Sequence, residues 1–394
     1  MYSFDSPNQD PSEISQTALF ASLTQANIPT AHVPPVTPLD PTNAADDYFL
    51  TSLDKVGEQI DAFADEPIWL IWAELPDLFP PWTVPEDILA KNFFDEEELE
   101  RVIEDDESED DEDDESEDDE DDESEDDESE DDESEDDESE DDEADVDETD
   151  VYEDATEEEK ALEPLLNPPM PEIDIEDSEL AARLDFSYAS AVEHLDRSLG
   201  ALIGALEEQG MLDEITLVLT AQQGVAVGEH GYVGASAPML YEELIHIPLL
   251  VRLPSAEQAG TRILGFTQPI DLFPTLLEFF ELSHDSGQGR SLVPLIQGRT
   301  QTIREYLVSH SFVENGHLWT IRTPSRCVLI RETEESTIPT VQLYDKPDDR
   351  WEVNDLAQHF LEEVDAYTLF LPVFVDAARS EGEFEPPPLP KLES

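Results

Sequence analysis

The chain has 394 residues, 38% of them hydrophobic, and a formal net charge of −84 from 102 acidic and 18 basic residues. Such a charge repels nucleic acids and anionic membranes, so the expected partners are basic proteins or cations, and binding to DNA or RNA is not expected. The only cysteine, Cys327, excludes an internal disulfide and a thiolate zinc site.

The N-terminal residues contain no basic segment followed by an apolar one, and no apolar run has the length needed to span a bilayer. These patterns predict a cytoplasmic protein, as the sequence is written, without a signal peptide or a membrane span. A start codon assigned too far downstream would hide an export signal. The composition makes no prediction about the oligomeric state.

Residues 1–103 are predicted to be the first part of an α/β domain. Apolar residues at helical spacing and a continuous apolar run flanked by prolines are the main signals. They predict an amphipathic stretch at 17–27, a short strand at 28–33, a helix over Ala45–Phe63, a buried strand at Ile68–Trp72 and a helix over Asp87–Val102.

An acidic tract follows, in which residues 104–143 are Asp or Glu except for six serines. The tract carries 34 acidic side chains and leaves a formal charge of −50 on the rest of the chain. Like charges at nearly every position prevent collapse, so residues 104–165 are predicted to be a disordered insertion in a surface loop. The tract is either a solvated spacer or a binding segment for basic proteins or cations.

Residues 166–300 are predicted to form the main α/β domain. The predicted elements are a helix over Ser178–Gln209, strands at Ile215–Thr220 and Ile247–Leu253, a glycine-rich loop at Gly224–Gly234, and a helix at Met239–Leu244. A further helix is predicted after Asp271, which is expected to cap it. Strands that alternate with helices predict a parallel or mostly parallel sheet with helices on both faces. Ligand sites in such sheets lie where the strands end, which singles out the loop from Ala221.

Residues 301–380 are predicted to form a small antiparallel β subdomain, and residues 381–394 a proline-rich tail. The predicted strands are Glu305–Ser309, Leu318–Ile321, Val328–Ile330 and Thr340–Tyr344, and a helix around Asp355–Ala377 closes the subdomain.

Several segments, in the same order along the chain, resemble those of the sulfatases of the alkaline phosphatase superfamily. They are Gly228-Glu-His-Gly231, Leu240-Tyr-Glu-Glu243, Ile247-Pro-Leu-Leu-Val-Arg252, Asp271-Leu-Phe-Pro-Thr-Leu-Leu277, Gly289-Arg-Ser-Leu292, and Leu343-Tyr-Asp345 with Trp351-Glu-Val-Asn-Asp-Leu356. The resemblance implies a three-layer α/β/α sandwich with the C-terminal antiparallel β subdomain. It also implies a divalent cation, typically calcium, and a nucleophile derived from Cys or Ser.

This sequence departs from the family pattern where the metal and the nucleophile are expected. The family has a Ser-Asp-His/Asn-Gly pattern after the strand, and this chain has Ala221, Gln222, Gln223 and Gly224. Gln contributes no charge to a hard cation. The strand with paired Asp ligands and the nucleophile motif are not found in residues 1–103, and Arg322-Thr-Pro-Ser-Arg326 is a chance match on a predicted hairpin. The resemblance is therefore to a degenerate, N-terminally truncated member.

We therefore assign no catalytic residue, no metal ligand and no cofactor. Ala221, Gln222, Gln223 and His230 are interpreted as vestigial loop positions, and His230 as a residue that stabilises the glycine-rich turn. The favoured function is an inactive sulfatase-like binding or scaffold module. The alternatives are an active sulfuric ester hydrolase whose catalytic N-terminal part is missing from this gene model, and a decayed gene product without a stable fold.

Overall fold

The computed structural model describes residues 11–36, 47–93, 162–174, 177–283, 287–313, 315–380 and 384–391. The acidic tract lies outside the described residues, so its predicted disorder remains a prediction. The chain divides into a unit of residues 1–92 and 164–394 and a unit of residues 93–163. Every contact discussed below lies within the first of these units.

The first elements are α1 (Pro11–Gln25), β1 (Thr30–Val33), α2 (Tyr48–Ala62), β2 (Leu70–Ala73) and α3 (Glu86–Phe93). The predicted helix over Ala45–Phe63 and the strand at Ile68–Trp72 are confirmed with slightly shorter bounds. The described part of the helix predicted over Asp87–Val102 ends at Phe93, and residues 94–102 lie outside the described residues.

Strand β2 pairs in parallel with β1, and both faces of this pair are covered. Trp69 and Ile71 pack against a core cluster that includes residues of α2, while Leu70 and Trp72 pack against another that includes residues of α1. Successive strand residues point to opposite faces, so burial of both faces explains the continuous apolar run. The prediction of helices on both sides of the strands is confirmed.

The second part contains the 31-residue helix α4 (Ser178–Glu208), β3 (Leu217–Thr220), the four-residue helix α5 (Glu242–Ile245) and β6 (Leu249–Arg252). The carboxylate of Asp177 caps α4 by accepting hydrogen bonds from the backbone N–H groups of Glu179 and Leu180 at 3.1 Å. The helix predicted over Met239–Leu244 begins three residues later, at Glu242.

The expected parallel pairing fails for β3 and β6, which form an antiparallel pair separate from β1–β2. A parallel return requires a long crossover connection that carries the chain back to the start of the strand. Between β3 and β6 the only α-helix has four residues, so β6 starts at the end where β3 stops, and Thr220 faces Leu249. Helices α6 (Leu272–Phe279) and α7 (Val293–Ile296) cover one face of this pair.

Strands β7 (Leu307–Val313), β8 (Gly316–Arg322), β9 (Arg326–Thr333) and β10 (Ser336–Asp345) form an antiparallel sheet in the order β10-β9-β8-β7. One face packs against α8 (Leu361–Arg379), and the other against Met239 and Tyr241. The predicted subdomain is confirmed, but its helix begins at Leu361 rather than near Asp355. The carboxylate of Asp355 accepts hydrogen bonds from Leu343 N and Ala357 N, which holds that segment in a turn.

Asp271 does not cap α6 through its side chain as predicted. Its carboxylate is fully buried and accepts hydrogen bonds from the backbone N–H groups of Gln268, at 2.8 Å, and Arg290, at 2.7 Å. The guanidinium of Arg304 binds both carboxylate oxygens, with Nε at 3.0 Å from Oδ2. Asp271 therefore closes the turn Pro269–Asp271 and joins it to the segments of Arg290 and Arg304, rather than capping α6 through its side chain.

Candidate functional site

The glycine-rich loop lies between two short antiparallel strands, β4 (Ala226–Val227) and β5 (Val233–Gly234). Gly228 has a φ of 111° and Gly231 has a φ of 78°. Residues other than glycine rarely adopt such positive φ angles. Between them, the Glu229 carboxylate accepts a hydrogen bond from Val227 N at 2.6 Å. The glycines thus allow a tight turn that holds His230 in a fixed position.

His230 is held on three sides. Its Nδ1 lies 3.0 Å from Glu243 Oε1, and its Nε2 lies 3.2 Å from the carbonyl oxygen of Glu352. Its ring stacks on that of Tyr241, with centroids 3.7 Å apart. These contacts support the interpretation of His230 as a residue that stabilises the turn.

Behind this loop lies a buried lysine–glutamate cluster, formed by Lys346, Glu242 and Glu352. The side chains of Lys346 and Glu352 are each 1% exposed, and Lys346 Nζ lies 3.1 Å from Glu352 Oε1. Lys346 also pairs with Glu242, and Glu352 Oε2 accepts a hydrogen bond from Glu242 N at 2.9 Å. The cluster therefore fixes the start of α5 against the segment that follows β10.

The pKa values of Glu242 and His230 are both shifted in this region. Burial acts to raise the pKa of Glu242, but hydrogen bonds from His246 and Lys346 and the charges of Lys346 and Arg322 lower it from 4.5 to about 2. Burial acts to lower the pKa of His230, but the hydrogen bonds and negative charge of Glu243 and Glu352 outweigh it and raise that pKa. Both shifts favour the charged form, so each side chain is stabilised as part of an ion pair.

The vestigial positions Gln222 and Gln223 line a broad groove of about 1360 Å³, which Glu242 and Glu352 of the cluster also line. Both side chains are exposed, and Ala221 before them is half-buried. Gly224, which follows, allows a close backbone approach, since a Cβ here would lie 1.8 Å from the carbonyl oxygen of Glu243. The loop thus brings Gln222 and Gln223 to the groove, while His230 is held in the contacts described above.

The donor set at Ala221, Gln222 and Gln223 does not fit the calcium ion that the resemblance implies. Calcium in proteins is bound mainly by oxygen ligands that include carboxylates, which supply negative charge. Here one side chain is a methyl group and two are neutral amides. Within the residues that the structure describes, His, Cys, Asp and Glu form no group of three or more that could hold a metal ion.

A pair of histidines lies on the C-terminal sheet. Nε2 of His310 on β7 is 3.0 Å from Nδ1 of His317 on β8, and the ring of Trp319 lies 4.0 Å from that of His310. Burial, with the charges of His317 and Arg379, lowers the pKa of His310 to about 4. His310 is therefore neutral at physiological pH.

No sequence pattern singles out Lys346, Glu352 or the histidine pair as site residues. Lys346 directly follows one of the segments that resemble the sulfatases, and Glu352 lies within another. Because charged side chains are normally exposed, neither residue is expected to be buried. The histidines lie just outside the predicted strands Glu305–Ser309 and Leu318–Ile321. If the two predicted strands had been extended toward each other and their residues paired across the hairpin, the two imidazoles would have been placed side by side.

Comparison with known proteins identifies the class. The sulfatase family model matches residues 108–282, and the model of the C-terminal region of N-sulphoglucosamine sulphohydrolase matches residues 228–367. The chain is 34% identical to N-acetylglucosamine-6-O-sulfatase of Bacteroides thetaiotaomicron over 116 residues, 29% of this chain and 20% of that protein. It is 26% identical to arylsulfatase of Clostridium perfringens over 190 residues, 46% of this chain and 38% of that protein.

The fold agrees with a phosphonate monoester hydrolase from Silicibacter pomeroyi, with a TM-score of 0.53 and 16% identity over 86% of this chain and 61% of that one. The two chains therefore share a fold. Over residues 108–367 the chain is similar to members of the sulfatase family. It spans only about a fifth to two fifths of the length of these two curated relatives. No described helix has the length and apolar character needed to cross a membrane.

Proposed function

We propose that this chain is a catalytically inactive member of the sulfatase family that acts as a binding or scaffold module. The observation that carries the proposal is the loop after β3, where the family pattern has Asp followed by His or Asn and this chain has Gln222 and Gln223. Neutral amides bind a hard cation weakly, and a weakly held cation cannot polarise an ester oxygen or activate a nucleophile.

The other polar residues of the loop support the same proposal. His230 and Glu243 bind each other, and Glu242 binds Lys346. A side chain held in an ion pair and a ring stack is costly to redirect toward a substrate, because its partner would be left buried without a counter-charge. The contacts of these residues thus favour a structural role.

We expect the purified chain to show no metal-dependent hydrolysis of aryl sulfates, with Ca²⁺ or Mg²⁺ present. Nucleophile, metal and transition-state contacts act together, so losing one of them typically lowers the rate by orders of magnitude. The Gln222→Asp, Gln223→His double variant is expected to remain inactive, because the loop supplies only part of such a site. The measurement is initial rate against substrate concentration, with Gln222→Ala as the matched control. Saturable turnover that both EDTA and Gln222→Ala abolish would contradict the proposal.

An active sulfuric ester hydrolase is the second candidate, favoured by the similarity to an N-acetylglucosamine-6-O-sulfatase and an arylsulfatase. Because the chain spans only part of these relatives, residues outside this sequence would have to complete the site. The assay above separates the two candidates, since only this one predicts EDTA-sensitive turnover. A chain without a cooperative melting transition would instead support a decayed gene product.

The binding role is assigned to the acidic tract. Its 34 carboxylates within 40 residues give the highest charge density in the sequence, and basic proteins are the partners that this charge attracts. The association is expected to depend on charge rather than on shape, so salt should screen it strongly.

Binding to polylysine is expected to weaken at least about tenfold between low and physiological ionic strength. Deletion of residues 104–148 is expected to weaken it strongly without abolishing it, because the rest of the chain is also acidic. The measurement is titration calorimetry at several salt concentrations. A matched variant carries Asn and Gln in place of Asp and Glu at 104–143, which keeps the length and removes the charge. Equal binding by the intact and the deleted chain would show that the tract is only a spacer.

A further inference from the structure

The histidine pair of the C-terminal sheet has the arrangement of a two-ligand metal site. His310 faces Trp319 across the β7–β8 pair, and His317 faces Phe312, so the two histidines are diagonal neighbours on one face of the hairpin. Both are partly exposed, and His310 also lines the broad groove. A cation in solution can therefore reach the pair.

The separation of the facing nitrogens matches what a chelated cation needs. His310 Nε2 and His317 Nδ1 are 3.0 Å apart. Metal–imidazole bonds of about 2.0–2.1 Å at angles between about 90° and 109° place two ligand nitrogens about 2.9–3.4 Å apart. The two side chains thus already hold these nitrogens at a chelating separation, and a turn of each ring by about 40° from the hydrogen-bonding direction would direct both lone pairs at one ion.

Chelation requires one change of tautomer. In the His310–His317 hydrogen bond, one of the two facing nitrogens carries the hydrogen. That imidazole must take its other tautomer, in which the hydrogen sits on the far ring nitrogen. Both facing nitrogens then present lone pairs, and no net proton is released.

Charged side chains of both signs act on the pair, because the charge of Arg379 also reaches His310. Glu332 is the cross-strand partner of His317, and its carboxylate accepts a hydrogen bond from Trp319 Nε1 at 2.9 Å, which adds negative charge to the same face. Because no third ligand from the described residues joins the two imidazoles in a cluster, water would complete the coordination shell.

We propose that His310 and His317 form a binding site for a divalent transition-metal cation, with Cu²⁺ held most tightly and Ni²⁺ more weakly. This order follows the general preference of nitrogen ligands among these ions. The site lies on the C-terminal sheet and is separate from the loop of Gln222 and Gln223. It does not depend on whether the protein is catalytic.

The test is a Cu²⁺ titration of the full-length chain, with excess Mg²⁺ present to occupy the carboxylates of the acidic tract. Cu²⁺ at the pair would lie beside the Trp319 ring and quench its fluorescence, and calorimetry would report the stoichiometry. We expect saturable binding of one ion, weakened at least about tenfold by His317→Asn and by His310→Asn. Trp319→Phe should abolish most of the quenching and keep the heat of binding.

The matched control is His359→Asn, which changes an exposed histidine outside the pair and should leave the affinity unchanged. Using two single variants of the pair guards against misfolding of either, and circular dichroism checks the fold of each. Absence of a saturable phase in the intact chain, or equal affinity for the intact chain and a folded His310→Asn or His317→Asn variant, would overturn the proposal.

Discussion

Replacing Asp271 with Asn is expected to destabilise the protein by about 3–5 kcal/mol, the cost of removing one partner from a buried ion pair. Four N–H groups converge on the two oxygens of this fully buried carboxylate, two from Arg304 and one each from Gln268 and Arg290. Asn offers one oxygen and an N–H₂ group, so donors lose their acceptor and the buried Arg304 loses its counter-charge.

The measurement is the unfolding free energy from urea denaturation. Glu278→Gln is the matched control, because it makes the same change from carboxylate to amide on α6, the helix that follows Asp271. Glu278 pairs with Arg299 at 3.7 Å, and both side chains are largely exposed, so the control should lose at most about 1 kcal/mol. Similar losses for the two variants would refute the role given to Asp271.

The second large effect is expected for Lys346→Met, which should also cost about 3–5 kcal/mol. The substitution keeps much of the side-chain length but removes the cation between Glu242 and Glu352. It also removes the donor to the carbonyl oxygen of Arg350, at 2.8 Å. Two carboxylates then remain in the cluster without a cation, and one of them is almost fully buried.

The same variant should change the response to acid. Because the folded-state pKa of Glu242 is about 2 and its ordinary value is 4.5, its ionised form stabilises the protein fully above pH 4.5. That contribution is lost as the pH falls from 4.5 toward 2. Without Lys346 the folded-state pKa rises, so the loss of unfolding free energy over this interval should be smaller in the variant.

Lys91→Met is the control for both measurements, since Lys91 forms an ion pair with Glu193 but is mostly exposed. It should cost at most about 1 kcal/mol. Lys91 lowers the pKa of Glu193 through a hydrogen bond, but this pair is largely exposed, so the acid profile should change less than it does in Lys346→Met. Adding Glu352→Gln to Lys346→Met should recover part of the loss, because one of the two uncompensated carboxylates is neutralised. No recovery in this double variant would mean that the cluster contributes by packing rather than by charge.

The elements of the fold were predicted where burial leaves a simple pattern. Ile68–Trp72 reads as a strand because both of its faces are covered, and the long helix from Ser178 shows its apolar spacing over 31 residues. The direction of β6 relative to β3 leaves no pattern in the sequence, because a short apolar run looks the same whether the two strands pair in parallel or antiparallel. The pairing depends on the route of the intervening chain, which is a tertiary property.

The candidate site was predictable only in part, for a similar reason. Gln222 and Gln223 stood out because a family motif exists with which to compare them. Lys346 and Glu352 did not, because their burial depends on pairing with Glu242, about a hundred residues earlier. Cys327 is fully buried in the C-terminal sheet, where it packs as a small core residue.

The hydrogen bond between the His230 ring and the carbonyl oxygen of Glu352 spans 122 positions of the chain. During synthesis at about 5–20 residues per second, roughly 6–25 s pass between the two residues leaving the ribosomal catalytic centre. Over that interval the glycine-rich turn exists without its C-terminal partner. Its final geometry is therefore set late in biogenesis, when the segment after β10 emerges and the C-terminal sheet closes over Tyr241.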